Sequence, residues 1–100
     1  MALSSINLRL SAMRALFEKI KPNLRMASVA ELEGKIIRLT FCYDGEITDE
    51  EEDLAGDAGT EVIADFPQEH LIEWDLIRCD YPEKIPSLPG YVVYARYEKH

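Results

Sequence analysis

Residues 24–43, with the sequence LRMASVAELEGKIIRLTFCY, decide the fold that this chain can adopt. Their second half alternates two sets of side chains, as a β-strand does because successive residues point to opposite faces. The apolar set is Ile37, Leu39, Phe41 and Tyr43, and the mixed set is Ile36, Arg38, Thr40 and Cys42. Glu33-Gly34 is typical of a tight turn. The stretch therefore predicts a β-hairpin with strands over residues 24–32 and 35–43.

A helix is predicted before this hairpin, over residues 5–20. Its apolar residues recur at steps of four and three, which places them on one side of a helix. We call them the Ile6 row: Ile6, Leu10, Met13, Phe17 and Ile20. Ser4 or Ser5 can cap the helix, and Pro22-Asn23 ends it. We expect the Ile6 row to face the core.

A second helix is predicted after the hairpin, from Thr48 to Phe66. Thr48-Asp49-Glu50-Glu51 has the pattern of a capping box, in which Thr48 accepts the backbone N–H of Glu51 and the Glu51 carboxylate reaches back. The apolar side comprises Leu54, Ala55, Ala58, Val62, Ile63 and Phe66. Gly56 and Gly59 each weaken the helix by roughly 1 kcal/mol relative to Ala. A close helix–sheet contact would explain one of them.

Two further strands are predicted, over residues 70–79 and 91–98, on either side of a loop rich in Pro and Gly. The first of them places Ile72, Trp74 and Leu76 on one face. The element order is then αββαββ, which is an α+β fold. We expect one domain over residues 1–100, with two helices on one face of a four-stranded, mainly antiparallel sheet. This order is that of a ferredoxin-like sandwich whose first strand has moved to the end.

The composition is that of a globular protein, and the charge is strongly uneven. The 100 residues include 11 Lys plus Arg and 19 Asp plus Glu, which gives a formal charge of −8, and 47% are hydrophobic. Residues 39–75 hold thirteen acidic residues and no Lys or Arg. An acidic chain is a poor match for nucleic acid, and no apolar run approaches the ~20 residues that span a bilayer. The charge favours a basic protein partner.

Five acids of the second helix recur at every fourth position. We call them the acidic row: Asp49, Asp53, Asp57, Glu61 and Asp65. Like charges four apart on a helix destabilise it by about 0.2–0.5 kcal/mol per pair. One interpretation is a docking surface for a basic protein, which Glu46 and Glu50 would extend. The other is a solvated face whose acids pair with basic residues of the first helix, such as Arg9, Arg14 and Lys19.

Catalytic and metal-binding patterns are weak. His70 lies beside Glu69 and Glu73 at a predicted strand start, where it is either a general base or a surface histidine, and we favour the latter. Cys42 and Cys79 lack metal-site spacing, and no phosphate loop or calcium loop occurs. We therefore predict no catalytic residue, no metal and no cofactor. Two cysteines without a secretory signal favour free thiols in a reducing, cytoplasmic compartment, although a disulfide between them stays open.

Several segments together resemble small bacterial immunity proteins of contact-dependent growth inhibition and related polymorphic toxin systems. These segments are Ile6-Asn7-Leu8-Arg9-Leu10-Ser11-Ala12, Arg14-Ala15-Leu16, Pro22-Asn23-Leu24-Arg25, Glu61-Val62-Ile63-Ala64-Asp65-Phe66-Pro67, Asp80-Tyr81-Pro82 and Tyr94-Ala95-Arg96. The resemblance implies a cytoplasmic, non-enzymatic inhibitor of a cognate toxin domain, often a nuclease with a basic cleft. It carries over no individual toxin-contacting residue.

Two functional hypotheses follow, and a third is a small enzyme that uses His70 and nearby acids. The first is an immunity protein that binds a basic toxin through Glu46, Glu50 and the acidic row. The second is a self-associating structural or regulatory module, which would form a homodimer through the exposed face of its sheet. That face is predicted to carry Ile36, Thr40, Cys42, Ile77, Val92 and Tyr94.

Overall fold

The computed structural model describes residues 3–99. Its elements follow the predicted order αββαββ, which confirms the α+β class. They are α1 (Ser5–Leu16), β1 (Leu24–Leu32), β2 (Ile36–Tyr43), α2 (Asp49–Ala64), β3 (Leu71–Arg78) and β4 (Tyr91–Ala95). Within this part of the chain, no helix is long and apolar enough to cross a membrane.

The four strands form one sheet in the order β3-β2-β1-β4. β1 runs antiparallel to both β2 and β4, whereas β2 and β3 are parallel. The parallel pair results from α2, because a helical crossover returns the chain to the same edge in the same direction. The permuted ferredoxin-like topology is therefore wrong. It would place β4 between β2 and β3, but β4 lies at the opposite edge beside β1.

Both helices pack on one face of the sheet, with α1 over β1 and β4 and α2 over β2 and β3. The apolar set of β2 faces them and is buried, as its alternation predicts. The register aligns Ile37 with Ile72 and Leu39 with Trp74, so the apolar face continues into β3. Ala55, Ala58 and Val62 of α2 are also buried there. The predicted buried sides of β2 and α2 are confirmed, whereas on β3 Ile72 and Leu76 are half-buried and Trp74 is 41% exposed.

Gly59 allows the close approach of α2 to β3. A Cβ atom built on it would lie 2.6 Å from Cε3 of the Trp74 ring, whereas one on Gly56 would lie 3.5 Å from Cζ2. The expected helix–sheet contact therefore exists at Gly59, where the indole occupies the place of a side chain.

The prediction for α1 is wrong in its orientation and its length. The Ile6 row is exposed, with 43–74% of each residue accessible to solvent. The helix instead buries a second row at helical spacing, which comprises Leu8, Ala12, Ala15 and Leu16. Small alanines let the backbone lie close to the sheet. The helix ends at Leu16, and Glu18 has a positive φ of 67° in the turn that follows.

The other face of the sheet carries no helix and is covered only in part. β3 and β4 are opposite edges, so the connection over residues 79–90 has to cross β2 and β1. One end of it contacts Arg25, and the other brings Gly90 against Ala30. Thr40 and Cys42 are buried beneath this face, and Tyr94 packs against the core on the other side. The predicted apolar patch is therefore wrong for Thr40, Cys42 and Tyr94, whereas Ile36 and Ile77 are half-buried and Val92 is 51% exposed.

Candidate functional site

The predicted binding residues lie along the outer side of α2 and in the loop before it. All seven are exposed: Glu46, Asp49, Glu50, Asp53, Asp57, Glu61 and Asp65. A row spaced by four drifts about 40° per step, because an α-helix turns about 100° per residue. The acidic row therefore winds from the side that faces α1, at Asp65, towards open solvent at Asp49.

Three of these acids pair with basic residues of α1 and of the turn that follows it. Lys19 Nζ lies 2.9 Å from Glu61, and Lys21 Nζ lies 2.7 Å from Glu50. Asp65 accepts a hydrogen bond from Ser11 Oγ at 2.6 Å and lies 3.3 Å from Arg14. These contacts join the two helices.

The other four acids have no such partner. Within residues 3–99, no Lys or Arg nitrogen lies at ion-pair distance from Glu46, Asp49, Asp53 or Asp57. Arg9, which could have paired with an acid, instead lies over the Tyr91 ring at 5.2 Å. The predicted surface therefore contains two groups of acids. Three form ion pairs with α1 or the turn after it, and four are exposed without an ion-pair partner among the described residues.

Glu51 is not the capping residue that its position predicts. Thr48 makes no side-chain cap to the helix backbone, and its hydroxyl donates to the Glu51 carboxylate. Asn23 donates to the same carboxylate at 2.9 Å, and Lys21 lies 3.4 Å away. The Thr48 hydrogen bond is the largest cause that lowers the pKa of Glu51 to about 2. This buried cluster fixes the start of α2, and with it the exposed acids nearby.

A second polar cluster fixes the carboxyl-terminal segment on the sheet. The buried Arg25 guanidinium donates to both Glu98 oxygens, at 2.7 and 2.8 Å, and to the Cys79 carbonyl at 2.6 Å. Arg96 joins Glu98 to Asp44. The Arg25 hydrogen bonds are the largest cause that lowers the pKa of Glu98 to about 2. Three segments that carry the resemblance converge near here, since Arg96 also donates to the Pro22 carbonyl and Arg25 lies over Tyr81.

His70 is buried and not at the surface as predicted. Its Nε2 lies 3.6 Å from Glu31, and neither ring nitrogen has a hydrogen-bond partner in the described chain. Its predicted partner Glu69 pairs instead with Lys35. Glu73, the other acid beside it in the sequence, pairs with Arg38, so the carboxylate that approaches the ring is that of Glu31 on β1.

The two cysteines are free thiols in this structure. Cys42 is fully buried, and desolvation is the largest cause that raises its pKa to about 11. A thiol held protonated in this way is a poor nucleophile. Among residues 3–99, no group of three His, Cys, Asp or Glu side chains could hold a metal ion.

The surface that sequence reasoning missed is the Ile6 row, which was assigned to the core. It lies on the outer side of the helix layer, next to the ion pairs that join α1 to α2. An open groove of about 750 Å³ adjoins it, lined in part by Leu10, Arg14 and Phe66. One signal was available: Leu8, Ala12, Ala15 and Leu16 have helical spacing as well, so α1 had two rows that could face the core.

The comparisons with known proteins identify the family. The sequence model of the MafI2 immunity protein family matches residues 5–98, which include both helices and all four strands. No curated protein matched the chain. The family match confirms the resemblance to bacterial toxin immunity proteins. The chain belongs to the MafI2 immunity protein family, which indicates a toxin-neutralising and non-enzymatic role.

Proposed function

We propose that this chain neutralises its cognate toxin by binding a basic surface of it with the exposed acids of α2 and the preceding loop. The observation that carries the proposal is the set of exposed acids without a cation partner in the described chain: Glu46, Asp49, Asp53 and Asp57. Unpaired like charges on one helix weaken it. A basic partner would remove that repulsion on binding.

The paired acids have a different part in the proposal. Glu50, Glu61 and Asp65 hold the helices together through Lys21, Lys19 and Arg14, so they fix the shape of the surface. They remain exposed and can also meet a partner at its edge. Charges at the rim of an interface mainly accelerate association and select the partner.

We infer that the toxin is a nuclease with a basic cleft and that binding takes place in the cytoplasm. Nucleases bind phosphate with Lys and Arg, and a helix that presents carboxylates at regular spacing can occupy the same positions. In this proposal the acidic surface prevents the nucleic-acid substrate from entering the basic cleft of the toxin. It needs no metal and no cofactor.

The test uses the purified toxin domain encoded by the adjacent gene. We expect a complex at low salt whose association rate falls steeply as salt rises, because exposed charges are screened. The variant Asp53→Lys/Asp57→Lys should slow association by at least about tenfold at low salt. Association rates are measured by stopped flow or biolayer interferometry.

A matched control has the same change in net charge on other surfaces. Glu33→Lys/Asp75→Lys alters two exposed acids, one in the hairpin turn and one on β3. Its association rate should stay within about twofold of the wild-type rate. Equal slowing by both variants would show that net charge and not the α2 surface governs association. A wild-type chain that forms no complex at low salt contradicts the proposed function.

A further inference from the structure

The Ile6 row is an apolar surface that the fold itself leaves uncovered. Ile6, Leu10, Met13 and Phe17 lie roughly opposite Leu8 and Ala12 on the helix, because steps of three and four return to the same side. With Ile20, which lies beyond the end of α1, the row comprises five large apolar side chains, each 43–74% exposed. Contiguous exposed apolar surfaces of this kind are typical of interaction sites.

The contacts on both sides of α1 hold it in this orientation. Arg9 lies over Tyr91 on the β4 side, and Ser11 and Arg14 contact Asp65 on the α2 side. Rotation of α1 to bury the Ile6 row would break these contacts and expose Leu8 and Leu16. The outward position of the row is therefore specified by polar residues and by the core together.

We propose that the Ile6 row forms the apolar centre of the toxin interface, and that its occupant is an apolar patch of the toxin bordered by Lys and Arg. This inference rests on the proposed function, because it names the same partner. Protein interfaces commonly combine an apolar centre with a polar rim. Here the Ile6 row and the unpaired acids lie on the same outer side of the helix layer, on either side of the ion pairs between α1 and α2.

Charge decides between a toxin and a second copy of this chain as the occupant. A second copy would bring its own acids and a net charge of −8 to the same interface. Like charges that meet across an interface disfavour association. A basic toxin surface beside an apolar patch instead complements both parts of the helix layer.

The test separates the apolar centre from the acidic surface. The variant Leu10→Ala/Phe17→Ala keeps the charge and truncates two exposed residues of the row. We expect its complex with the toxin domain to weaken by about tenfold or more, through a faster dissociation rate. Its association rate and its salt dependence should match those of the wild type. The acid variant Asp53→Lys/Asp57→Lys should show the opposite pattern.

Leu71→Ala is the matched control, because Leu71 is 62% exposed but lies on β3, away from both helices' outer surface. It should dissociate at the wild-type rate. If Leu10→Ala/Phe17→Ala binds the toxin domain with the affinity and dissociation rate of the wild type, this inference is overturned and the proposed function stands. Absence of any wild-type complex overturns both.

Sedimentation of the free chain tests the competing occupant. A monomer in the wild type and in Leu10→Ala/Phe17→Ala supports the toxin as occupant. A wild-type dimer that dissociates in the variant overturns it in favour of a second copy. Urea unfolding of each variant should give a midpoint close to the wild-type value, which shows that a binding defect is not a folding defect.

Discussion

Both helices pack on the same face of the sheet, but they differ in which of their apolar residues are buried. α2 buries apolar residues at helical spacing and places all its acids except Glu51 outside, as an amphipathic helix does. α1 buries Leu8, Leu16 and two alanines, while the larger Ile6 row faces solvent. Helical spacing locates an apolar row. It does not select between two rows on the same helix.

The neighbours of each helix explain the difference. α2 lies over β3, where Trp74 fills the space above Gly59 and admits only a small residue. α1 lies over β1 and β4, and its polar residues find partners only when the alanines face inward. In both helices small residues meet the sheet closely. Only in α1 does this arrangement move large apolar residues outwards.

Two leucines that lie two residues apart on α1 distinguish its buried row from its exposed row. Leu8→Ala should lower the free energy of unfolding by about 2–5 kcal/mol, because Leu8 is 2% exposed and its truncation leaves a cavity. Leu10→Ala should change it by no more than about 0.5 kcal/mol, because Leu10 is half exposed. Urea unfolding monitored by circular dichroism measures both. The reverse order would show that the Ile6 row faces the core.

Substitution of Glu51 tests how much its buried contacts at the start of α2 stabilise the fold. Glu51→Gln should lower the free energy of unfolding by about 1–3 kcal/mol at pH 7, since Lys21, Asn23 and Thr48 lose a buried charged partner. The exposed neighbour serves as control, and Glu52→Gln should cost less than about 0.5 kcal/mol. Equal losses for the two variants would mean that the carboxylate cluster contributes little.

The pH dependence of the same variant has a definite sign. The pKa of Glu51 falls from 4.5 to about 2 in the folded state, mainly through the Thr48 hydrogen bond. The stabilisation is therefore complete above about pH 4.5 and is lost as the pH falls towards 2. We expect the difference between the wild type and Glu51→Gln to shrink over this window. A difference that is constant from pH 7 to pH 2.5 would contradict the assignment.

The sequence predicted those features whose structure depends on residues close to one another in the chain. Alternation in β2 identified its buried side, and Glu33-Gly34 identified the hairpin, although its turn also includes Lys35. A close contact was correctly predicted for one of Gly56 and Gly59, but neither the glycine concerned nor its partner, Trp74, could be inferred. These features depend on periods of two or about 3.6 residues, which the sequence displays directly.

Features that depend on distant partners could not be predicted. The position of β4 depends on which edge residues 79–90 reach, and local pattern says nothing about it. Thr40 and Cys42 are buried, although alternation placed them on a half-exposed face. Glu51 matched a capping box, but Asn23 and Lys21 competed for its carboxylate from another segment. For the candidate site, spacing identified the acidic row, and only the fold separates its paired members from its unpaired ones.

The smallest predicted effect distinguishes acids that stabilise the fold from acids that do not. Asp53→Asn removes like-charge contacts with Asp49 and Asp57, so it should raise the free energy of unfolding by about 0.5 kcal/mol at low salt. Glu61→Gln should not stabilise the chain, because it also removes the 2.9 Å contact with Lys19. The gain from Asp53→Asn should shrink at high salt, where these charges are screened. Calorimetry at both salt concentrations measures the two variants. An acid whose removal stabilises the fold but slows toxin association is one that the protein retains for its partner and not for its own stability.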